Sequence, residues 1–290
     1  MSSVELAADV STSADRPRHR GAFWRLYSSE VALTLSRRRN QALLAVLAVV
    51  PLVIGVAVKV KNPTGSDGPQ FLGRITGNGL FLTFTALTVS IPFFLPLVVG
   101  VLSGDAIAGE AGSGTLRYLL TVPVTRTRLW ASKALSLFTV TGLAVALVAA
   151  VGLLTGGALF GLHSVVLLSG DTVGLGNGLV RALLILVYVA IGLYGLAAIG
   201  LFISTLTENA IAAMAATVGV AIFFALLDAV PQLSAIHPFL LTDHWLGFGE
   251  LLRSSVGVAD LFRWSGLHLL YAVVFLSLAW SRLNTKDVTA

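Results

Sequence analysis

Apolar runs of about 20 residues recur along the chain between short polar stretches, and this repeat dominates every other pattern in it. Six runs read as membrane-crossing helices, over residues 42–58, 80–102, 134–160, 182–206, 210–227 and 264–280. Each approaches or exceeds the length needed to cross about 30 Å of hydrocarbon at about 1.5 Å per residue. Pro92 and Pro96 fall inside the second run. A proline removes a helix hydrogen bond, so this span is expected to kink. Only Thr207, Glu208 and Asn209 separate the fourth and fifth runs, which makes them an antiparallel hairpin.

The segments between the runs carry their own patterns. Residues 1–21 are polar and lack the apolar core of a signal peptide; they are expected to be a disordered tail. In residues 22–39, Phe23, Tyr27, Val31 and Leu35 recur every fourth position and form one helical stripe, bordered by Trp24. Arg25, Ser28, Ser29 and Glu30 fall largely elsewhere, and Arg37, Arg38 and Arg39 follow. This predicts an amphipathic helix at the membrane interface, with Phe23, Trp24 and Tyr27 in the acyl boundary and the three arginines near anionic headgroups. A solvated juxtamembrane helix is the alternative. Residues 103–133 form the most polar internal stretch. In residues 228–262, Leu241, Trp245, Phe248 and Leu252 follow 4-3-4 spacing and predict a second amphipathic helix or a re-entrant pair. The expected fold is an all-α integral membrane protein, with residues 22–290 as one six-span domain.

Composition agrees: 56% of the residues are hydrophobic and 11% are charged, against roughly 25% charged in soluble domains. The net charge of +5 raises the question of nucleic acid. Sorting the 19 lysines and arginines answers it. Lys59, Lys61, Arg74, Arg181, Arg253 and Arg263 fall on one side, and all the others fall on the side of the two termini. By the positive-inside rule both termini are cytoplasmic, in a multi-pass protein of the inner (plasma) membrane, and no nucleic-acid partner is needed. Cysteine is absent, which excludes disulfides and thiol chemistry.

The polar stretch 103–133 holds the candidate site. Asp105 and Glu110 are placed at the cytoplasmic end of the second span, and Gly112 and Gly114 break its helix. Thr115 can cap a short helix over residues 116–120, which Pro123 stops. A short apolar helix at the mouth of a bundle is a docking element.

The run Gly104-Asp105-x-Ile107-Ala108-x-Glu110, then Gly114-Thr115-Leu116-x-x-Leu119-Leu120-x-x-Pro123-Val124-x-Arg126, then Lys133, resembles the cytoplasmic loop of type-2 permeases of ATP-binding-cassette (ABC) exporters. The interfacial helix, the six spans and the outer segment extend the resemblance over residues 22–290. It implies a coupling helix seated in a cleft of a separate ATPase subunit. Glu110, Gly114, Thr115, Leu116, Leu119, Leu120 and Pro123 would shape that contact, with Asp105 at the hinge and Lys133 at the base of the third span. The loop departs from the family pattern at Ala111, where a basic residue is common, and at Arg117, which replaces a frequent acidic one. The resemblance further implies two ATPase subunits per complex, which hold ATP and magnesium. It also implies a second permease copy or a homologous permease, in contact with membrane lipid.

Other chemistry is weak in the sequence. No phosphate loop of the form Gly-x-x-x-x-Gly-Lys-Ser/Thr occurs, so this chain is expected to bind no nucleotide, cofactor or metal and to be no enzyme by itself. His237, Asp243 and His244 share the outer segment, where solvation explains them as well as a metal would. His163 and His268 are placed near span ends. The predicted spans carry no ionisable residue at mid-depth, which argues against an ion-coupled carrier and points to hydrophobic or amphipathic cargo. A membrane anchor or sensor that recruits a cytoplasmic regulator is the alternative function. Three Gly-x-x-x-Gly pairs, Gly100/Gly104, Gly152/Gly156 and Gly157/Gly161, allow close helix approach within one copy or between two.

Overall fold

The structure, a computed structural model, describes residues 21–61, 78–114 and 125–285. The predicted tail up to residue 20 and the short helix 116–120 lie outside the described residues. So do Thr115, Leu116, Leu119, Leu120 and Pro123. In chain order the elements are α1 (Ala22–Ser36), α2 (Arg38–Lys61), α3 (Leu80–Ser90), α4 (Phe94–Gly112) and α5 (Arg126–Phe160). A two-stranded hairpin of β1 (Val165–Val166) and β2 (Thr172–Val173) follows, then α6 (Leu175–Leu206) and α7 (Ala210–Asp228). Three 3-10 turns, Pro231–Leu233, His237–Phe239 and Gly247–Leu252, precede α8 (Val258–Thr285). Six of these helices, α2 and α4 to α8, are long and apolar enough to cross a bilayer. The protein is an all-α integral membrane protein.

The second span is broken rather than kinked. Pro92 and Pro96 cannot donate to the carbonyls four residues before them, and Phe93 leaves helical geometry at φ −134°. The chain therefore stops α3 at Ser90 and restarts at Phe94, where Leu97 N–H donates to Phe93 O at 3.2 Å. α4 then runs on to Gly112, well beyond the expected end at residue 102.

α5 and α6 are the centre of the bundle. α5 packs against α1, α2 and α3, and α6 against α8, α4 and α7. Leu193, Leu196 and Leu201 of α6 and Val140, Val145 and Val148 of α5 are fully or almost fully buried. Small residues let the backbones approach. A Cβ at Gly104 would lie 2.5 Å from Met214 N on α7, and one at Gly152 would lie 2.9 Å from Thr83 Cα on α3. Across the α4–α6 contact, Ser204 Oγ donates to Gly104 O at 2.8 Å and accepts from Ile107 and Ala108 N–H. The pairs Gly100/Gly104 and Gly152/Gly156 are thus internal contacts.

One end of the bundle, the α1 end, gathers α1, the start of α5 and the end of α8. There Arg126 donates to Leu283 O and Asn284 O, and Trp280 Nε1 donates to Thr127 Oγ1 at 3.3 Å. At the opposite, hairpin end, Gly79 N–H donates to Gly161 O at 2.9 Å.

The outer segment corrects one expectation. Leu241, Trp245, Phe248 and Leu252 are buried, as their spacing implied, but they sit on turns, with no α-helix between α7 and α8. Pro231, Pro238, Gly247 and Gly249 oppose α-helix propagation. Side chains hold the turns down instead: Trp245 Nε1 donates to Gly192 O at 3.1 Å and Tyr188 Oη to His244 O at 2.6 Å. Trp245→Phe removes the first of these bonds and should lower stability by about 1 kcal/mol, read as a reduced thermal midpoint of the purified protein.

α8 begins at Val258, before the predicted run that starts at residue 264, and His268 on it is fully buried beside Gly192 and Gly195 of α6.

Candidate functional site

α1 lies along α5, and its inward side is set by sequence. Tyr27 Oη and Thr139 Oγ1 are 2.8 Å apart, and Val31 and Leu35 pack on the core. Phe23 is half-buried, whereas Trp24 is 61% exposed and meets the Phe23 and Tyr27 rings edge-on. Glu30 differs from expectation: it faces inward and is buried. The spacing 27, 30, 34 is itself helical, so Glu30 shares the inner face with Tyr27 and Thr34.

A buried carboxylate needs a cation, and α5 supplies it. The Lys133 side chain is only 3% exposed. Its ammonium lies 3.1 and 3.3 Å from the Glu30 oxygens and also holds Glu110 Oε1 of α4. Beside this triad, Asp105 of α4 is paired with Arg37 and, at 2.9 Å, with Arg39. Arg39 also reaches Asn40 Oδ1 at 3.3 Å, and Asn40 Nδ2 donates to Thr34 O at 2.8 Å. Gly109, one turn after Asp105, leaves the space its carboxylate fills. The two groups enclose a small polar cavity of about 40 Å³, enough for water.

The geometry brings together Asp105, Glu110 and Lys133 and adds Glu30, Arg37 and Arg39 to them. Asp105 lies about two turns inside α4, and Glu110 lies in its last turn. Lys133 lies two turns inside α5, because the helix starts early, at Arg126, where the Thr125 hydroxyl accepts from Arg128 N–H. Gly114 follows the end of α4 with φ +70°, a conformation that favours glycine. Arg38 is exposed, and Arg37 and Arg39 are partly so, at 44% of each side chain. Three acids and three bases thus tie α1, the start of α2, the end of α4 and the start of α5 into one ionic unit. Residues 113–125 connect the last two of these in sequence. The link between α6 and α7 also borders this place: Asn209 Oδ1 caps α7 by accepting from Ile211 and Ala212 N–H, and a Cβ at Gly112 would lie 2.5 Å from Glu208 O.

A family model described as ABC-2 family transporter protein matches residues 34–242, which include α2 to α7 and all of the ionic unit except Glu30. No curated protein matches the chain.

Proposed function

The chain belongs to the ABC-2 family of transporter proteins, and from that premise we propose that it is the permease of an ATP-driven exporter whose ATPase subunits dock beneath the α1 end. An ABC-type permease is the membrane subunit and not itself the ATPase. In this reading two ATPase subunits hold ATP and magnesium, and the permease pairs with a second copy or a homologous chain. Both termini face the cytoplasm at the inner membrane, a placement supported by the excess of basic residues on their side. The cargo is hydrophobic or amphipathic and leaves outward between the paired permeases.

The observation that carries the reading is the ionic unit flanking residues 113–125. ATP binding draws the ATPase subunits together, and the docked segment moves with them. Glu110 and Lys133 then transmit the movement to α4, α5 and α1 at once. Coupling requires an element with two arrangements that the motor biases, and in this reading the ionic unit is that element.

The test is affinity purification of the tagged protein from its native membrane. A co-purifying ATPase with a phosphate loop, lost when residues 115–120 are scrambled, is the expected result. A well-folded preparation that brings down no ATPase overturns the docking assignment.

A further inference from the structure

At the hairpin end the last turns of α7 are loosely packed. The buried residues of this helix are Ala213, Thr217 and Ala221, and none from Ile222 to Asp228 is buried. Phe224 meets the Tyr271 ring of α8 edge-on, with centroids 6.3 Å apart. The helix end itself meets ionisable groups carried by the turns that follow it. Asp228, the last residue of α7, lies within hydrogen-bonding reach of the Asp243 carboxyl group, and His237 and His244 also act on it. Asp243 Oδ2 is 3.1 Å from His244 Nδ1. His237 Nε2 is 3.1 Å from Val230 O, two residues past Asp228.

The turn side of this cluster is fixed. The His244 ring stacks on Trp264 of α8 with centroids 5.0 Å apart, and the His244 carbonyl accepts from Tyr188 Oη of α6. Tyr188 lies within electrostatic reach of Asp243, and the buried His268 of α8 within reach of His244. Arg263, next to Trp264, is exposed. Among the described residues no lysine or arginine pairs with Asp228 or Asp243, and no three acidic or histidine side chains converge to hold a metal ion. Two carboxylates in contact repel each other unless a positive charge stands between them. Here that charge is a proton, shared by the carboxyl groups or carried by the imidazoles beside them. Water reaches the cluster, since the Asp243 side chain is 29% exposed.

We propose that Asp228 and Asp243 form a proton-operated clasp that ties the end of α7 to the turns packed on α6 and α8. The closed clasp binds a proton that the open one releases, so acid closes it and alkali opens it. For one proton per closure, the ratio of closed to open changes by up to about tenfold per pH unit. Opening frees the part of α7 beyond Ala221, which no buried side chain anchors. The clasp stands at the opposite end of the bundle from the ionic unit, and it stands or falls independently of ATPase coupling.

The chain has no cysteine, so two can be introduced cleanly for spin labels. Leu226→Cys on α7 and Leu246→Cys on the turns replace exposed side chains on either side of the clasp. Label-to-label distances are measured on the full-length permease in nanodiscs between about pH 5 and about pH 8. One short, narrow distance is expected at the acid end, with a longer and broader population growing as the pH rises. Asp228→Asn in the same background supplies an amide that donates to Asp243 without a titrating proton, so the short distance should persist at every pH. Asp228→Ala removes the contact and should give the long population throughout. The isosteric asparagine variant decides the question even if the alanine variant misfolds. Distances that ignore pH, or that shift equally in the parent and in Asp228→Asn, overturn the proposal. So does a short distance that EDTA abolishes, which would put a metal ion in place of the proton.

Discussion

Lys133→Met is expected to destabilise the protein by about 3–5 kcal/mol, the usual cost of removing one partner from a buried ion pair. The substitution keeps the length and apolar stem of the side chain and deletes only the charge. Glu30 and Glu110 would then face each other without the ammonium that both now contact. The measurement is the thermal midpoint of the purified permease, together with cargo-stimulated ATP hydrolysis by the reconstituted complex. Adding Glu30→Gln to Lys133→Met should recover part of the loss, because the Glu30 carboxylate that has lost its ammonium becomes neutral. Lys133→Arg keeps the charge but must fit a wider, planar group into the same space, and should fall between the two. A midpoint for Lys133→Met equal to that of the parent protein would mean that the cluster is solvated and transmits nothing.

That cluster was only partly legible in the sequence. The loop motif singled out Asp105, Glu110 and Lys133, but nothing local said that they meet. Their partners are remote: Glu30 lies 103 positions from Lys133. A lone carboxylate on an amphipathic helix reads as solvent-facing until its cation is known, so Glu30 was placed on the outer face. Arg37 and Arg39 read as headgroup anchors for the same reason; the structure gives them Asp105 as well.

The spans themselves were clear, because each must present an apolar length to lipid. Their ends were not. Hydropathy marks the width of the hydrocarbon, whereas a helix stops where its backbone does. α4 and α5 therefore extend into the polar stretch, where charged side chains satisfy one another instead of ending the helices. His268 is buried against α6, a contact that hydropathy along one helix does not reveal. In the outer segment the burial of Leu241, Trp245, Phe248 and Leu252 followed from spacing. The conformation did not, since successive turns can bury a 4-3-4 pattern as well as a helix can.

Gly156→Ala tests the other end of α5, and its expected cost is about 3 kcal/mol or more, at or beyond the upper end of common overpacking effects. A Cβ at position 156 would overlap the Gly79 carbonyl oxygen and lie 3.0 Å from Gly79 Cα. Backbone cannot rotate aside as a side chain can, so α5 would have to move away from the start of α3. Gly219→Ala is the control: nothing lies within 4 Å of its added methyl. Alanine there should stabilise the helix by about 0.5–1 kcal/mol. Both variants are compared by thermal midpoint and yield, and a Gly156→Ala midpoint matching that of the parent would mean that α3 and α5 can part at little cost. Lys133 and Gly156 stand on one continuous helix, about 35 Å apart at about 1.5 Å per residue. Changes so distant are normally additive within about 0.3–0.5 kcal/mol. If Lys133→Met and Gly156→Ala add in stability yet interact in cargo-stimulated ATP hydrolysis, α5 works as a rod that carries the motor's movement from the α1 end to the hairpin end. If they add in both, the two ends act separately, and movement leaves the ionic unit through α4 or α1 instead.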